Sequence, residues 1–291
     1  MFTITVTDTS STLTDTMTVT ITVNGADDAV DAGAAQTGSV TEDGTSTATG
    51  TVAATDPDAD SAFTYGIGTA AGTYGSLAID SAGAWTYTID NSAAATNALD
   101  AGDTPTDAFT ITVTDTSSTL TDTMTVTITV NGADDAVDAG PAQTGAVTED
   151  ATATTATGTV AATDPDADSA FTYAIGTAAG TYGSLAIDSA GAWTYTIDNS
   201  AAATHALAHD GSGSDAFTIT VTDTSSTLTD TMTVTVTVSG ANDAPTVAST
   251  ISDASTDEDS PYSLDISSNF ADPDTGAVSY THLTLPTKRI V

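Results

Sequence analysis

The chain is 291 residues long and carries 39 acidic residues against 2 basic ones, a formal net charge of −37 at pH 7. That balance argues against nucleic acid as a partner, because phosphate binding needs lysine and arginine to displace counterions, and it disfavours anionic membrane surfaces for the same reason. Hydrophobic residues make up 39%, too many for a disordered acidic tail, and with no cysteine the chain has neither a disulfide scaffold nor a thiol nucleophile. No apolar run approaches the roughly 18 residues of a membrane span. The opening "MFTITVTDTSS" lacks the basic start and apolar centre of a signal peptide.

Taken in chain order, the first recognisable element is "FTITVTDTSSTLTDTMTVT", beginning at Phe2 and found again from Phe109 and Phe217. Met1 holds the place of Ala108 and Ala216, so residues 1–29 read as the C-terminal remnant of a repeat. Gly50–Thr96 then recurs as Gly158–Thr204, with Ala174 for Gly66 the only difference. The period is about 108 residues, the size of a domain rather than of a solenoid step. Full repeats are expected over 30–136 and 137–244, with a different, truncated unit over 245–291. The end of that unit, "AVSYTHLTLPTKRIV" at 277–291, holds both Lys288 and Arg289. It resembles translated adapter read-through and is expected to be a sequencing artefact; the alternative is a strand at a unit's midpoint. The chain therefore reads as a window on a longer protein.

Within each unit the apolar period is 2. Leu77 and Ile79 precede the turn "DSAG" at Asp80–Gly83, and Trp85, Tyr87 and Ile89 follow it. Asn91–Leu99, "NSAAATNAL", is the one stretch that suits a short helical turn. Phe109, Ile111 and Val113 alternate with threonine, as do Met124, Val126, Ile128 and Val130. Such alternation marks strands with one buried face, and threonine on the other face favours extended backbone. Many short strands separated by Gly and Asp turns imply an all-β chain of tandem antiparallel β-sandwiches. Trp85 and Trp193 alternate with Tyr87 and Tyr195, so core packing is the better reading than a sugar-stacking platform.

Acidic residues recur at fixed places in predicted loops and strand ends. In the first full repeat these are Glu42 and Asp43, Asp56, Asp58 and Asp60, Asp100 and Asp103, Asp115, and Asp134 and Asp135. Two carboxylates about 4 Å apart repel by roughly 4 kcal/mol at an effective dielectric near 20. Clusters of them call for a cation, and Ca2+, which takes 6–8 oxygen ligands, suits such a set. Pro57 blocks helix, and the alternation of Asp56, Asp58 and Asp60 lets carboxylates converge from a bent loop. Asp80, Asp90 and Asp188 are better read as ordinary turn aspartates. The aspartate loops are not EF-hands, lacking the glycine at loop position six and the closing glutamate. Simple halophilic acidity, with no specific site, is the bland alternative.

The segments "ATGTVAATDPDADSAFTY", "YGSLAIDSAGAWTYTIDNS", "ALDAG" and "DAFTITVTDTSS" resemble the VCBS repeat of large bacterial surface proteins. The last unit, with "DEDSPYSLDISSNFADPDTG", resembles the cadherin-like modules that accompany such repeats. The resemblance implies Ig/cadherin-like sandwiches in an extended array, secreted or at the bacterial cell surface. It also implies a place in adhesins and biofilm proteins of the RTX type, commonly exported by type I secretion. Partners would be calcium ions, neighbouring repeats, and cell-surface proteins or glycans. Cadherins bind calcium where one domain meets the next. Carried over residue by residue, that pattern implies one complete ligand set of Glu42, Asp100, Asp103, Asp134, Asp135, Asp164, Asp166, Asp168 and Asp223. A partial set would comprise Asp27, Asp28, Asp56, Asp58, Asp60 and Asp115, and another Glu149, Asn242, Asp243, Asp272 and Asp274. In the last of these "ALDAGD" has become "ALAHDG", and Ala208 stands where Asp100 does.

Enzymatic readings are weak. His205 and His209 are four apart beside the helical turn, a spacing that can serve zinc, but the sister repeat has Asn97 and Ala101 there. No nucleophile elbow, H-E-x-x-H or phosphate-cradling loop is present. Paired carboxylates can serve glycoside hydrolysis, yet near-identical duplication of each acidic cluster points to architecture. The expectation is a non-enzymatic, calcium-stabilised repeat region of an adhesin; the alternative is an accessory, carbohydrate-binding module array of a secreted hydrolase.

Overall fold

Threonine alternating with large apolar residues produces strands whose two faces differ sharply in burial. The computed structural model describes residues 1–59, 61–255, 257 and 263–276. The expectations for Asp60 and for 277–291 fall outside the described residues. Contact density divides the chain into two units, Met1–Thr96 with Gly102–Ala133, and Asn97–Ala101 with Asp134–Val291.

The first unit opens with an antiparallel hairpin, β1 (Phe2–Thr7) and β2 (Thr14–Val19), solvent-exposed along almost its whole length. Its sandwich follows in β3 (Gln36–Thr41), β4 (Thr47–Thr51), β5 (Phe63–Ile67), β6 (Gly75–Ile79), β7 (Ala84–Ile89), β8 (Thr106–Asp115) and β9 (Thr121–Asn131). One sheet has the order β3-β9-β8-β5 and the other β4-β7-β6. All pairings are antiparallel except β3 with β9, which run parallel from Gln36 opposite Val126 to Thr41 opposite Asn131. The expected antiparallel β-sandwich holds, with this single parallel pair as an addition that the alternation does not reveal. The chain reaches β9 only after crossing between sheets, so β3 lies beside it in the same direction.

The second unit repeats this arrangement in β10 (Gln143–Thr148), β11 (Thr155–Thr159), β12 (Phe171–Ile175), β13 (Gly183–Ile187), β14 (Ala192–Ile197), β15 (Ser212–Asp223) and β16 (Thr229–Ser239). The sheets are ordered β10-β16-β15-β12 and β11-β14-β13, again with a parallel first pair. The expected helical turn is a single short helix here, α1 (Ala202–His205), whereas Asn91–Ala98 in the first repeat forms turns only. Two short strands, β17 (Thr246–Val247) and β18 (Phe270–Ala271), pair antiparallel beyond it.

Each core is built from the alternating positions. In the second repeat Trp193, Tyr195 and Ile197 of β14 pack against Phe217, Ile219 and Val221 of β15 and Val234, Val236 and Val238 of β16. The tryptophans are 1% exposed, so they are core residues and not a sugar platform. The indole N–H of Trp193 still finds an acceptor, Gln143 Oε1 at 2.7 Å, as Trp85 finds Gln36. Tyr195 lies tilted against Phe217 at 5.9 Å between ring centroids, and its hydroxyl donates to the buried Asp215 at 2.8 Å. Asp215 also accepts the backbone N–H groups of Thr181 and Tyr182, fastening the loop before β13. Asp107 does the same for Thr73, Tyr74 and Tyr87.

Gly158 on β11 faces the Trp193 ring so closely that an added Cβ would stand 2.6 Å from it. Gly158→Ala should therefore destabilise the second repeat by about 1–3 kcal/mol, the usual cost of overpacking. Urea unfolding followed by tryptophan fluorescence measures it, with an unaltered midpoint counting against this packing.

Candidate metal centre

The aspartate loops owe their shape to an Asp-Pro-Asp core. Proline fixes its own φ and offers no N–H, so the following aspartate's N–H is the first available to bond back. It donates to the first aspartate: Asp58 to Asp56 Oδ1 at 2.9 Å, Asp166 to Asp164 Oδ1 at 3.0 Å, and Asp274 to Asp272 Oδ1 at 2.9 Å. The second aspartate's carboxylate then accepts a backbone N–H from the linker about thirty residues upstream. Asp28 donates to Asp58 Oδ2 at 2.7 Å, Asp135 to Asp166 Oδ2 at 2.8 Å, and Asp243 to Asp274 Oδ2 at 3.0 Å. The third instance has a different flanking sequence and the same geometry. The linker is tied in turn to the loop after α1's counterpart in the first repeat, where the Ala101 N–H donates to Asp134 Oδ1 at 2.9 Å.

A buried glutamate follows the first strand of each sandwich. Glu42 and Glu149 are 2% and 1% exposed, and each accepts a backbone N–H at 3.3 Å, from Ala133 and Ala241 respectively. Burial pushes the Glu149 carboxyl above its ordinary value; the Ala241 N–H opposes this, and Asp243 and Asp150 add to it. Asp166 is 6% exposed, and burial pushes its pKa up to about 6. The Asp135 N–H works against that rise, while repulsion from Asp164, Asp135 and Asp100 reinforces it. Several carboxylate oxygens here are buried without a hydrogen-bond partner: Oδ2 of Asp56 and Asp164, Oδ1 of Asp166 and Asp274, and Oε1 of Glu149. Buried carboxylates left half-satisfied are costly unless a cation completes them. The donor set is oxygen-rich, acidic and partly pre-positioned by backbone N–H groups, and it fits calcium.

The other expected ligands are placed differently. Asp115 and Asp223 sit at the turns between β8 and β9 and between β15 and β16, where each is saturated. Asp223 accepts from Ala170 N–H, from Ser225 N–H and Oγ, and from Ser226 N–H and Oγ. Burial raises its pKa, but the serine hydroxyls and these N–H groups outweigh burial and hold it well below the usual carboxylate range. The same turns hold Thr119 and Thr227 at φ of 65°, an unusual conformation for a β-branched residue that the aspartate clamp sustains. Asp27, Asp103, Asp134, Asp168 and Asn242 are exposed. Asp80, Asp90 and Asp188 bond their own turns, as ordinary turn aspartates do.

One group was not assembled by sequence reasoning. Glu149, His205 and Asp243 bring one ligand atom each within 4.8 Å of one another. His205 Nδ1 lies 2.9 Å from Asp243 Oδ2 and 3.6 Å from Glu149 Oε1. The Asp243 carboxylate is the chief cause of a raised His205 pKa. His209 instead faces Asp210, both well exposed, so the four-residue spacing does not make a histidine pair. The replacement of Asp100 by Ala208 beside a newly acquired histidine was the available signal.

A family model described as bacterial cadherin-like domain matches residues 26–132 and 133–240. No curated protein matches the sequence. Among solved structures, an N-cadherin EC1-4 from Drosophila is 19% identical, with a TM-score of 0.44 over 72% of this chain and 48% of that one. Mouse cadherin-23 EC22-24 is 22% identical, with a TM-score of 0.42 over 70% and 63%. Protocadherin gamma B7 domains 1–4 give 18% and 0.48 over 83% and 58%. The chain thus spans less than two thirds of the length of these structures.

Asp166 supplies a pH test. Its folded pKa of about 6 lies above the ordinary value of an aspartate. Its neutral form is therefore favoured by folding; that contribution is full below about pH 4 and is lost as pH rises through 6. In calcium-free buffer, Asp166→Asn should raise the unfolding temperature by a few degrees at pH 7.5, and the gain should vanish near pH 4. Scanning calorimetry across this range measures it.

Proposed function

Because the chain belongs to the bacterial cadherin-like domain family, we propose that it is a calcium-stabilised structural and adhesive repeat region of a large secreted or cell-surface protein. The observation that carries this reading is the set of buried carboxylate oxygens without hydrogen-bond partners at the Asp-Pro-Asp loops. A cation is the economical partner, since among the described residues there is no lysine or arginine to supply one. Calcium held by Asp164, Asp166 and the Asp134–Asp135 linker would offset their mutual repulsion. Asp100, Asp103 and Asp168 would be further ligands of that set, whereas the Asp223 carboxylate is already saturated by its own turn. Asp56 and Asp58 with Asp27 and Asp28 would serve the preceding linker, and Asp272 and Asp274 with Asn242 the following one.

The mechanism is mechanical rather than chemical. Each sandwich folds on its own apolar core, while the linkers and Asp-Pro-Asp loops hold carboxylates with too few donors. Binding cations there would turn a loosely hinged string of repeats into a stiff, extended array suited to presenting an adhesive surface away from a cell. Small-angle scattering during chelator titration tests this. Removing calcium should alter the maximum dimension and broaden the distance distribution, with far-ultraviolet circular dichroism unchanged and recovery at millimolar calcium. An invariant scattering profile, or recovery only at molar concentrations of any salt, would point to general acidity instead.

A further inference from the structure

The two repeats differ most tellingly at one position of this acidic end. Where the first repeat carries Asn97, the second carries His205, on the last turn of α1. An amide oxygen is a hard donor of the kind calcium accepts, whereas an imidazole nitrogen suits zinc and the later first-row metals. We propose that Glu149, His205 and Asp243 form a binding site for a divalent transition metal, Zn2+ first among them.

The geometry supports a three-ligand site. Zinc takes nitrogen and oxygen ligands at about 2.0–2.2 Å, which in a tetrahedron sets the ligand atoms roughly 3.3 Å apart. His205 Nδ1 stands 2.9 Å from Asp243 Oδ2 and 3.6 Å from Glu149 Oε1, on either side of that spacing. Glu149 Oε1 is the independent pointer. It is a buried oxygen on a side chain 1% exposed, it has no hydrogen-bond partner, and it faces the imidazole. Two carboxylates and a neutral imidazole match the charge of a divalent cation. His205 is 38% exposed and lines a surface hollow with Ser200, Ala202, Asp243 and Thr246, which leaves the fourth coordination position open to water.

Two features hold the ligands in place. Glu149 is fixed at the end of β10 by its N–H to Ser239 O at 2.9 Å and by the Ala241 N–H on Oε2. Asp243 is held by its own N–H on Asp274 Oδ2 at 3.0 Å. The loss of the carboxylate at Ala208, where the first repeat has Asp100, leaves this end poorer in oxygen donors as it gains a nitrogen.

Titration calorimetry of the metal-stripped full chain with zinc chloride, in millimolar calcium, tests the site. The expected result is one zinc per chain that calcium does not displace, and a Co2+ derivative with the visible absorption of nitrogen-containing tetrahedral coordination. His205→Asn, the sister repeat's own residue, should weaken zinc by at least about tenfold with unchanged circular dichroism. His209→Asn and His282→Asn should leave it unaltered. Zinc that calcium displaces, zinc lost in His282→Asn, or no binding beyond that of His205→Asn would overturn the proposal. Because calcium-dependent scattering is measured separately, failure of the calcium reading and failure of the zinc site are distinguishable.

Discussion

The structure depends on how 39 carboxylates are accommodated with almost no basic side chains. The protein's answer is the backbone N–H. At the hairpin turns Asp115 and Asp223 collect amides and serine hydroxyls until they are saturated, and at the sandwich interior Asp107 and Asp215 gather two amides and a tyrosine hydroxyl. Asp122 and Asp230 accept the N–H of Ala32 and Ala139, pinning the start of each repeat. Charge that would otherwise disfavour the fold thus fastens its loops. The Asp-Pro-Asp loops and Glu149 are the places where this supply of donors runs short.

That division separates saturated from half-satisfied carboxylates better than sequence position does. A saturated aspartate such as Asp223 gains from folding, and its pKa falls. A half-satisfied one such as Asp166 loses, and its pKa rises. Opposite shifts in two copies of the same residue type, within one repeat, mark where hydrogen-bond donors are plentiful and where they run short.

The strands were legible because their signal is local. Phe109, Ile111 and Val113 declare a buried face through neighbours two residues away, and Trp85 and Tyr87 do likewise. The parallel pairing of β3 with β9 was not legible, since nothing in Gln36–Thr41 records that Val126 will lie beside it. Among the carboxylates, the Asp-Pro-Asp loops stood out by their spacing, whereas Asp107 looks like any strand residue until Tyr87, Thr73 and Tyr74 converge on it. In the sequence His205 is only one of two histidines four apart, at places where the sister repeat has Asn97 and Ala101. Its real neighbours, Glu149 and Asp243, lie on other elements and become visible only when the sandwich closes.

The central claim is that the half-satisfied carboxylates are completed by calcium. Proton release on calcium binding tests it most directly, because a metal must displace the proton that burial holds on Asp166. Calorimetric calcium titrations in buffers of different ionisation enthalpy, at pH 5.5 and at pH 8, measure that release. The account predicts net proton release at pH 5.5 that disappears at pH 8 and is reduced in Asp166→Asn. Calcium binding with no proton release at either pH, or with release unchanged in Asp166→Asn, would contradict it.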